Sequence, residues 1–263
     1  MGERSERLGM ASGEWNEPRA PTSGSDDTRA GRRRAERAAA RPRPLGPPAP
    51  SADMSETEAT PTVRVYADYV CPFCHLGYAS LDAYRADRDA PLSAEWHPFD
   101  LQGHKRRPDG SLDDSVDDGK DDEYYEEARE NVRRLADEYD VELAEELRTD
   151  VDAYDAQRVA LRARDEYPEA FEAFHRGVFD ATWTEGRDVG DTEVLESVAA
   201  DAGLPDGFVA ETLADESSAD ALRSAFEAAR ERGITGVPTF EHDGYAARGA
   251  VPPAQLRRLV EGT

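Results

Sequence analysis

The chain has 263 residues, a formal net charge of −25 at pH 7, 38% hydrophobic residues and two cysteines. That length supports a sizeable core and one or two domains. No apolar run approaches the roughly 20 residues of a membrane span, and so negative a body is a poor partner for nucleic acid.

Residues 1–53 read as a disordered tail. They hold Gly31-Arg32-Arg33-Arg34, an Ala-Arg-Pro stretch, the prolines 42, 44, 47, 48 and 50, and few large apolar residues. No apolar stretch of 7–15 residues follows the arginines, as an export signal requires. Ten arginines face eight acids there, so the tail carries only +2 and makes a weak nucleic-acid arm. Met54-Ser55-Glu56-Thr57 reads as a natural start, which would make the upstream segment an artefact of gene-start assignment. Residues 54–263 then carry −27, with lysine only at 105 and 120. This composition resembles that of proteins from salt-loving archaea, where high salt screens self-repulsion.

Residues 63–67 predict a first strand and residues 74–88 a first helix. Residues 92–101 predict a second strand anchored by Trp96 and Phe99. The polar stretch 105–123 hints at a calcium loop, but Val116 falls between Asp114 and Asp118 where a ligand is needed, so it reads as solvated. From about 122 to 232 the period is helical. Tyr125, Ala128, Val132, Leu135 and Tyr139 form one stripe, and Phe171, Phe174 and Val178 another after Pro168. Asp191 caps a helix with Leu195, Val198 and Ala199 that Gly203 stops; Leu222, Ala225, Phe226 and Ala229 precede Gly233. Most of these aromatics read as core. Residues 237–242 and 245–248 predict a hairpin around Asp243-Gly244, and residues 252–261 a closing helix.

Both cysteines sit in Cys71-Pro72-Phe73-Cys74, between the first strand and the first helix. The thiolate is the reactive form of cysteine, and a helix N-terminus favours negative charge. Pro72 suits a first helical position. Cys71 is therefore expected exposed at the helix N-terminus as nucleophile, with Cys74 one turn inward as resolving thiol. A zinc site would need four ligands, and the five histidines are scattered singly. A purely structural disulfide across so short a loop would add little. Far downstream, Gly236-Val237-Pro238-Thr239-Phe240 places a proline between a glycine-containing turn and a strand. A cis bond there would expose the preceding backbone to an incoming peptide; an ordinary trans proline is the alternative.

Together the two motifs resemble the thioredoxin superfamily, and within it the DsbA-like family, FrnE-type branch. Glu185-Gly186-Arg187-Asp188-Val189-Gly190-Asp191 and the closing Gly249-Ala250 match as well, and the likeness spans roughly residues 62–261. The resemblance implies an α/β, thioredoxin-like fold: a central mixed sheet flanked by helices, with residues 62–103 and 233–262 forming the thioredoxin-like unit and residues 104–232 an inserted all-helical domain. It implies that Cys71 attacks and Cys74 resolves, and that Pro238 faces them as a cis-proline. Val237 would offer backbone to the substrate, and Pro72 and Phe73 would tune the potential. The best-known periplasmic member has histidine between its cysteines. Here Phe73 stands there and His75 follows the pair, either lending positive charge to Cys71 or serving as an ordinary helical residue.

The expected activity is thiol–disulfide exchange with protein or small-molecule substrates and an unknown redox partner, in the cytoplasm. Neither metal nor bound cofactor is required, and glutathione is a candidate co-substrate. Kappa-type glutathione transferases and 2-hydroxychromene-2-carboxylate isomerases share the fold but usually carry serine in place of Cys71, so a glutathione-dependent isomerase or transferase is the runner-up. A non-catalytic peptide-binding module is the third reading.

Overall fold

The structure, a computed structural model, describes residues 60–262 apart from 114, 118 and 149. The expected tail, the start at Met54, and Asp114 and Asp118 of the polar stretch lie outside the described residues.

Strand β1 (Thr62–Ala67) lies second in a four-stranded mixed sheet of order β2-β1-β3-β4. It pairs in parallel with β2 (Ser93–Pro98), Val65 opposite Trp96, and antiparallel with β3 (Thr239–His242), Val65 opposite Phe240. Strand β4 (Tyr245–Arg248) closes the hairpin. The turn between β3 and β4 uses Asp243 at φ 48 and Gly244 at φ 84. Two consecutive positive φ values make the primed turn whose twist matches a hairpin, and Asp-Gly supplies them cheaply.

Alternation in β1 reads directly as two faces. Val63, Val65 and Ala67 enter the main core, while Tyr66 packs on the other side with Ala229 and Ile234. Both faces of β1 are covered, as a central strand requires. Strand β2 is shorter than the expected 92–101. The Phe99 N–H turns back to the Ala67 carbonyl (3.1 Å), and Asp100 starts a run of turns.

Helix α1 (Pro72–Ala86) starts two residues before the predicted periodic run, with Cys71 as its cap residue. Eight helices occur among the described residues; the others are α2 (Asp122–Tyr139), α3 (Tyr154–Glu166), α4 (Pro168–Trp183), α5 (Thr192–Asp201), α6 (Phe208–Ala214), α7 (Glu216–Glu231) and α8 (Pro253–Glu261). Asp121, Asp191 and Asp215 each cap a helix by accepting a backbone N–H. The short α6 carries no pattern long enough to predict alone.

One buried cluster runs from Val65 of β1 through Leu81 of α1 to Phe174 and Phe179 of α4 and Leu222 of α7, so sheet and helical segment share a core. Arg106 ties that core to the polar stretch. Its guanidinium donates to Asp100 (2.7 and 3.1 Å), to Asp152 (3.0 Å twice) and to the Gly110 carbonyl (2.8 Å), and stacks 4.6 Å over Tyr154. Its side chain is only 9% exposed. Removing one partner of a buried pair strands the other charge, at a cost of about 3–5 kcal/mol. Arg106→Ala is expected to lower unfolding stability by about that much in urea titrations; Arg106→Lys recovers only part, because lysine cannot span both carboxylates.

Candidate active site

The site is assembled where β1 hands over to α1. The Cys71 N–H bonds the Asp68 carbonyl (3.2 Å), and the Cys74 N–H bonds the Cys71 carbonyl (2.9 Å), closing two successive turns. Pro72 occupies the start of α1, where its missing N–H leaves nothing unpaired. Cys71 and Cys74 are free thiols in contact with each other. The Cys71 Sγ lies 3.6 Å from the Val237 carbonyl, across from the cis Val237–Pro238 bond.

The loop carrying Pro238 is held firmly. The Pro238 carbonyl accepts from Gly249 N–H (2.8 Å), and Thr239 Oγ1 donates to the Gly236 carbonyl (2.7 Å). Beneath it sits Gly77 of α1. A Cβ there would meet Pro238 Cγ and Phe240 Cζ, each at 3.1 Å. Glycine at 77 therefore sets how closely the loop approaches the helix that bears both thiols. Phe73 packs between the main core and a smaller cluster of Leu76, Val132, Leu135 and Ala136.

One sequence expectation needs correction, and one open alternative narrows. Cys71 is not exposed: it is 3% accessible and belongs to the core cluster, because the Val237 segment lies against its sulfur. His75 lends no positive charge at neutral pH. Burial, with the Arg176 guanidinium nearby, pushes its pKa down to about 4. Its ring stacks on Phe179 (centroids 5.9 Å) and faces a cleft on the flank of α1. It is the ordinary helical residue of the two readings.

Cys74 is fully buried, and desolvation together with the neighbouring Cys71 thiol pushes its pKa well up. Next to it lies a residue that the sequence reading passed over, Asp68. Its carboxylate accepts from Leu101 N–H (2.8 Å), Gln157 Nε2 (3.0 Å) and Val70 N–H (3.3 Å). Desolvation nonetheless raises its pKa to about 7. Its charge also bears on Cys74. An aspartate flanked by Ala67 and Tyr69 at a strand end was the available signal; the partners Leu101 and Gln157 are 33 and 89 residues away.

Tyr69 forms the wall behind. Its hydroxyl pairs with His175 Nδ1 (2.8 Å) and its carbonyl accepts from Trp183 Nε1 (2.8 Å). His175 is enclosed by Tyr69, Tyr78, Trp96, Phe171 and Phe179, and burial holds it well below the ordinary histidine pKa. Among the described residues no cluster of three or more His, Cys, Asp or Glu could hold a metal ion. No helix among them is long and apolar enough to cross a membrane.

A mixed four-stranded sheet with a dithiol at the start of its first helix and a cis-proline opposite defines a thioredoxin-like protein of the DsbA type. Residues 62–261 match the model of the DSBA-like thioredoxin domain, and the chain belongs to that family. A curated relative, the uncharacterized protein YwbO of Bacillus subtilis (strain 168), is 29% identical over 179 residues, covering 68% of this chain and 84% of its own. The crystal structure of a probable DsbA oxidoreductase from Streptomyces coelicolor matches with a TM-score of 0.65 at 24% identity, over 77% of this chain and 90% of that one. A 2-hydroxychromene-2-carboxylate isomerase matches at 0.61 and 19%, over 76% and 93%. A cytosolic disulfide reductase of Pseudomonas aeruginosa, DsbM, solved with glutathione, matches at 0.52 and 19%, over 76% and 93%. At these identities the three structures show the shared fold.

The raised pKa of Asp68 has a definite sign for stability. Folded protein holds that proton up to about pH 7, whereas an unfolded aspartate releases it near 3.8. The contribution is fully present below the unfolded value and is lost as pH rises through the folded one. Asp68→Asn is expected to narrow the difference in unfolding stability between pH 4.5 and pH 8 by about 2–4 kcal/mol, measured in parallel denaturant titrations.

Proposed function

We propose that this protein is a FrnE-type thiol–disulfide oxidoreductase acting through Cys71 and Cys74, in the cytoplasm of a salt-adapted organism. The observation that carries the reading is the pairing of two free thiols at the start of α1 with the Val237 carbonyl 3.6 Å from the Cys71 sulfur. We take residues 62–103 and 233–262 as the thioredoxin-like unit and residues 104–232 as its helical insertion. Substrates are thiols or disulfides, protein or small molecule, with glutathione as a candidate co-substrate. The cytosolic DsbM neighbour with glutathione supports both placements.

In the reducing direction, Cys71 thiolate attacks a substrate disulfide and expels one substrate thiolate. Cys71 is the cap residue at the start of α1. Cys74 then attacks the Cys71 sulfur of the mixed disulfide, freeing the second substrate thiolate and closing the Cys71–Cys74 bond. Cys74 must first lose a proton in a site without water access. Asp68, buried beside it and near half-protonated at neutral pH, is placed to take it. Oxidation of substrates runs the same steps backwards. The likeness to an isomerase supports a second reading, glutathione-dependent isomerisation, which need not depend on the Cys71 thiol.

Equilibration with glutathione buffers in high salt, followed by thiol alkylation, is expected to give one two-electron transition between roughly −270 and −120 mV. Cys71→Ser abolishes disulfide exchange, and Cys74→Ser accumulates the mixed disulfide, visible as a mass adduct. Two thiols that titrate independently and never form a disulfide would sink the oxidoreductase, and isomerase activity surviving in Cys71→Ser would favour the second reading.

A further inference from the structure

Two clefts flank α1, and they differ in charge. The cleft beside His75 is lined by six carboxylates against one guanidinium, that of Arg176. The other, a groove of ≈ 570 Å³, reaches the reactive end of the helix through Phe73 and Val237. Its floor is apolar, with Leu135 and Tyr139 of α2 facing Ala250, and Tyr139 is fixed by a hydrogen bond to the Ala250 carbonyl (2.8 Å). Its ionisable lining is Arg134, Arg248 and Glu138, a net +1 in a chain of −25.

The two arginines are not equivalent. Arg134 is engaged by Glu138 (3.1 Å) and Asn131 (2.7 Å). Arg248, exposed at the end of β4, has a guanidinium with no ion pair or hydrogen bond among the described residues. A free guanidinium on a positively biased rim, in a groove whose Val237 also contacts the Cys71 sulfur and within a strongly negative molecule, is a local attractor for anions. Its planar fork suits a carboxylate. The groove has the volume of a small-molecule site rather than a protein interface.

We infer that Arg248 is a specificity-determining residue and that the groove selects disulfides of small, carboxylate-bearing thiols. This rests on the oxidoreductase reading above. The substrate's disulfide meets Cys71 while a carboxylate pairs with Arg248. In the reaction the substrate S–S bond breaks and the Cys71–Cys74 bond forms. Two electrons pass from the protein dithiol to the substrate, which leaves as two thiols carrying the two protons.

The test uses two probe disulfides of similar length and opposite charge, 3,3′-dithiodipropionate and cystamine. Pre-reduced full-length protein is mixed with each at the lowest ionic strength that preserves its far-UV circular dichroism. The rate of Cys71–Cys74 closure is read by alkylation, and each rate constant is divided by that for dithiothreitol and the same probe. Wild type is expected to prefer the dianion. Arg248→Glu is expected to lower the dianion-to-dication ratio about fivefold or more. The same charge change at Arg258→Glu, exposed on α8 and outside the groove, leaves the ratio unchanged. An unchanged ratio in folded Arg248→Glu, with both probes unreactive toward Cys71→Ser, overturns the inference and leaves the oxidoreductase standing. Probe reduction that persists in Cys71→Ser overturns the oxidoreductase itself.

Discussion

The turn from Asp68 to Cys71 is the constraint on which the rest of the site depends. A carboxyl group removed from water must be satisfied locally, and Asp68 draws its donors from the loop after β2 and from Gln157 of α3. Its own carbonyl holds the Cys71 N–H. A single residue thus joins the sheet, the helical segment and the first thiol. Displacing any of the three would leave a buried polar group unpaired. The chain therefore arrives at α1 in one geometry, with Cys71 as cap residue and Cys74 turned inward.

Electrostatics around the two thiols follow from burial more than from nearby charge. His75 and His175 are both held neutral by desolvation, with Arg176 adding to the effect in each case. Cys74 keeps its proton for the same reason. The Phe73 side chain between the cysteines contributes packing instead of charge, bridging two apolar clusters. The proline loop opposite is positioned by contact, with Gly77 allowing Pro238 and Phe240 to approach.

Much of this was legible in the chain. The β1 and α1 boundaries fell within two residues of expectation, the Asp243-Gly244 hairpin came out as read, and the aspartate at 191 capped its helix. The DsbA-like resemblance carried the fold. The second strand was expected too long, because Phe99 is as apolar as a strand residue but turns back onto Ala67. Asp68 does not stand out in the sequence, since an aspartate at a strand end is normally solvated.

By itself the sequence determined which chemistry is available: two thiols and no third, a proline at the helix start, and a proline loop 166 residues downstream that supplies Val237. Caps, turns and alternating strands act over a few residues, so they survive being read in one dimension. Solvent exclusion is a sum over elements distant in the chain. Only the tertiary structure could decide that Cys71 is covered, that Asp68 titrates near neutrality, that His75 is uncharged and that Arg248 stands free at the rim of a groove.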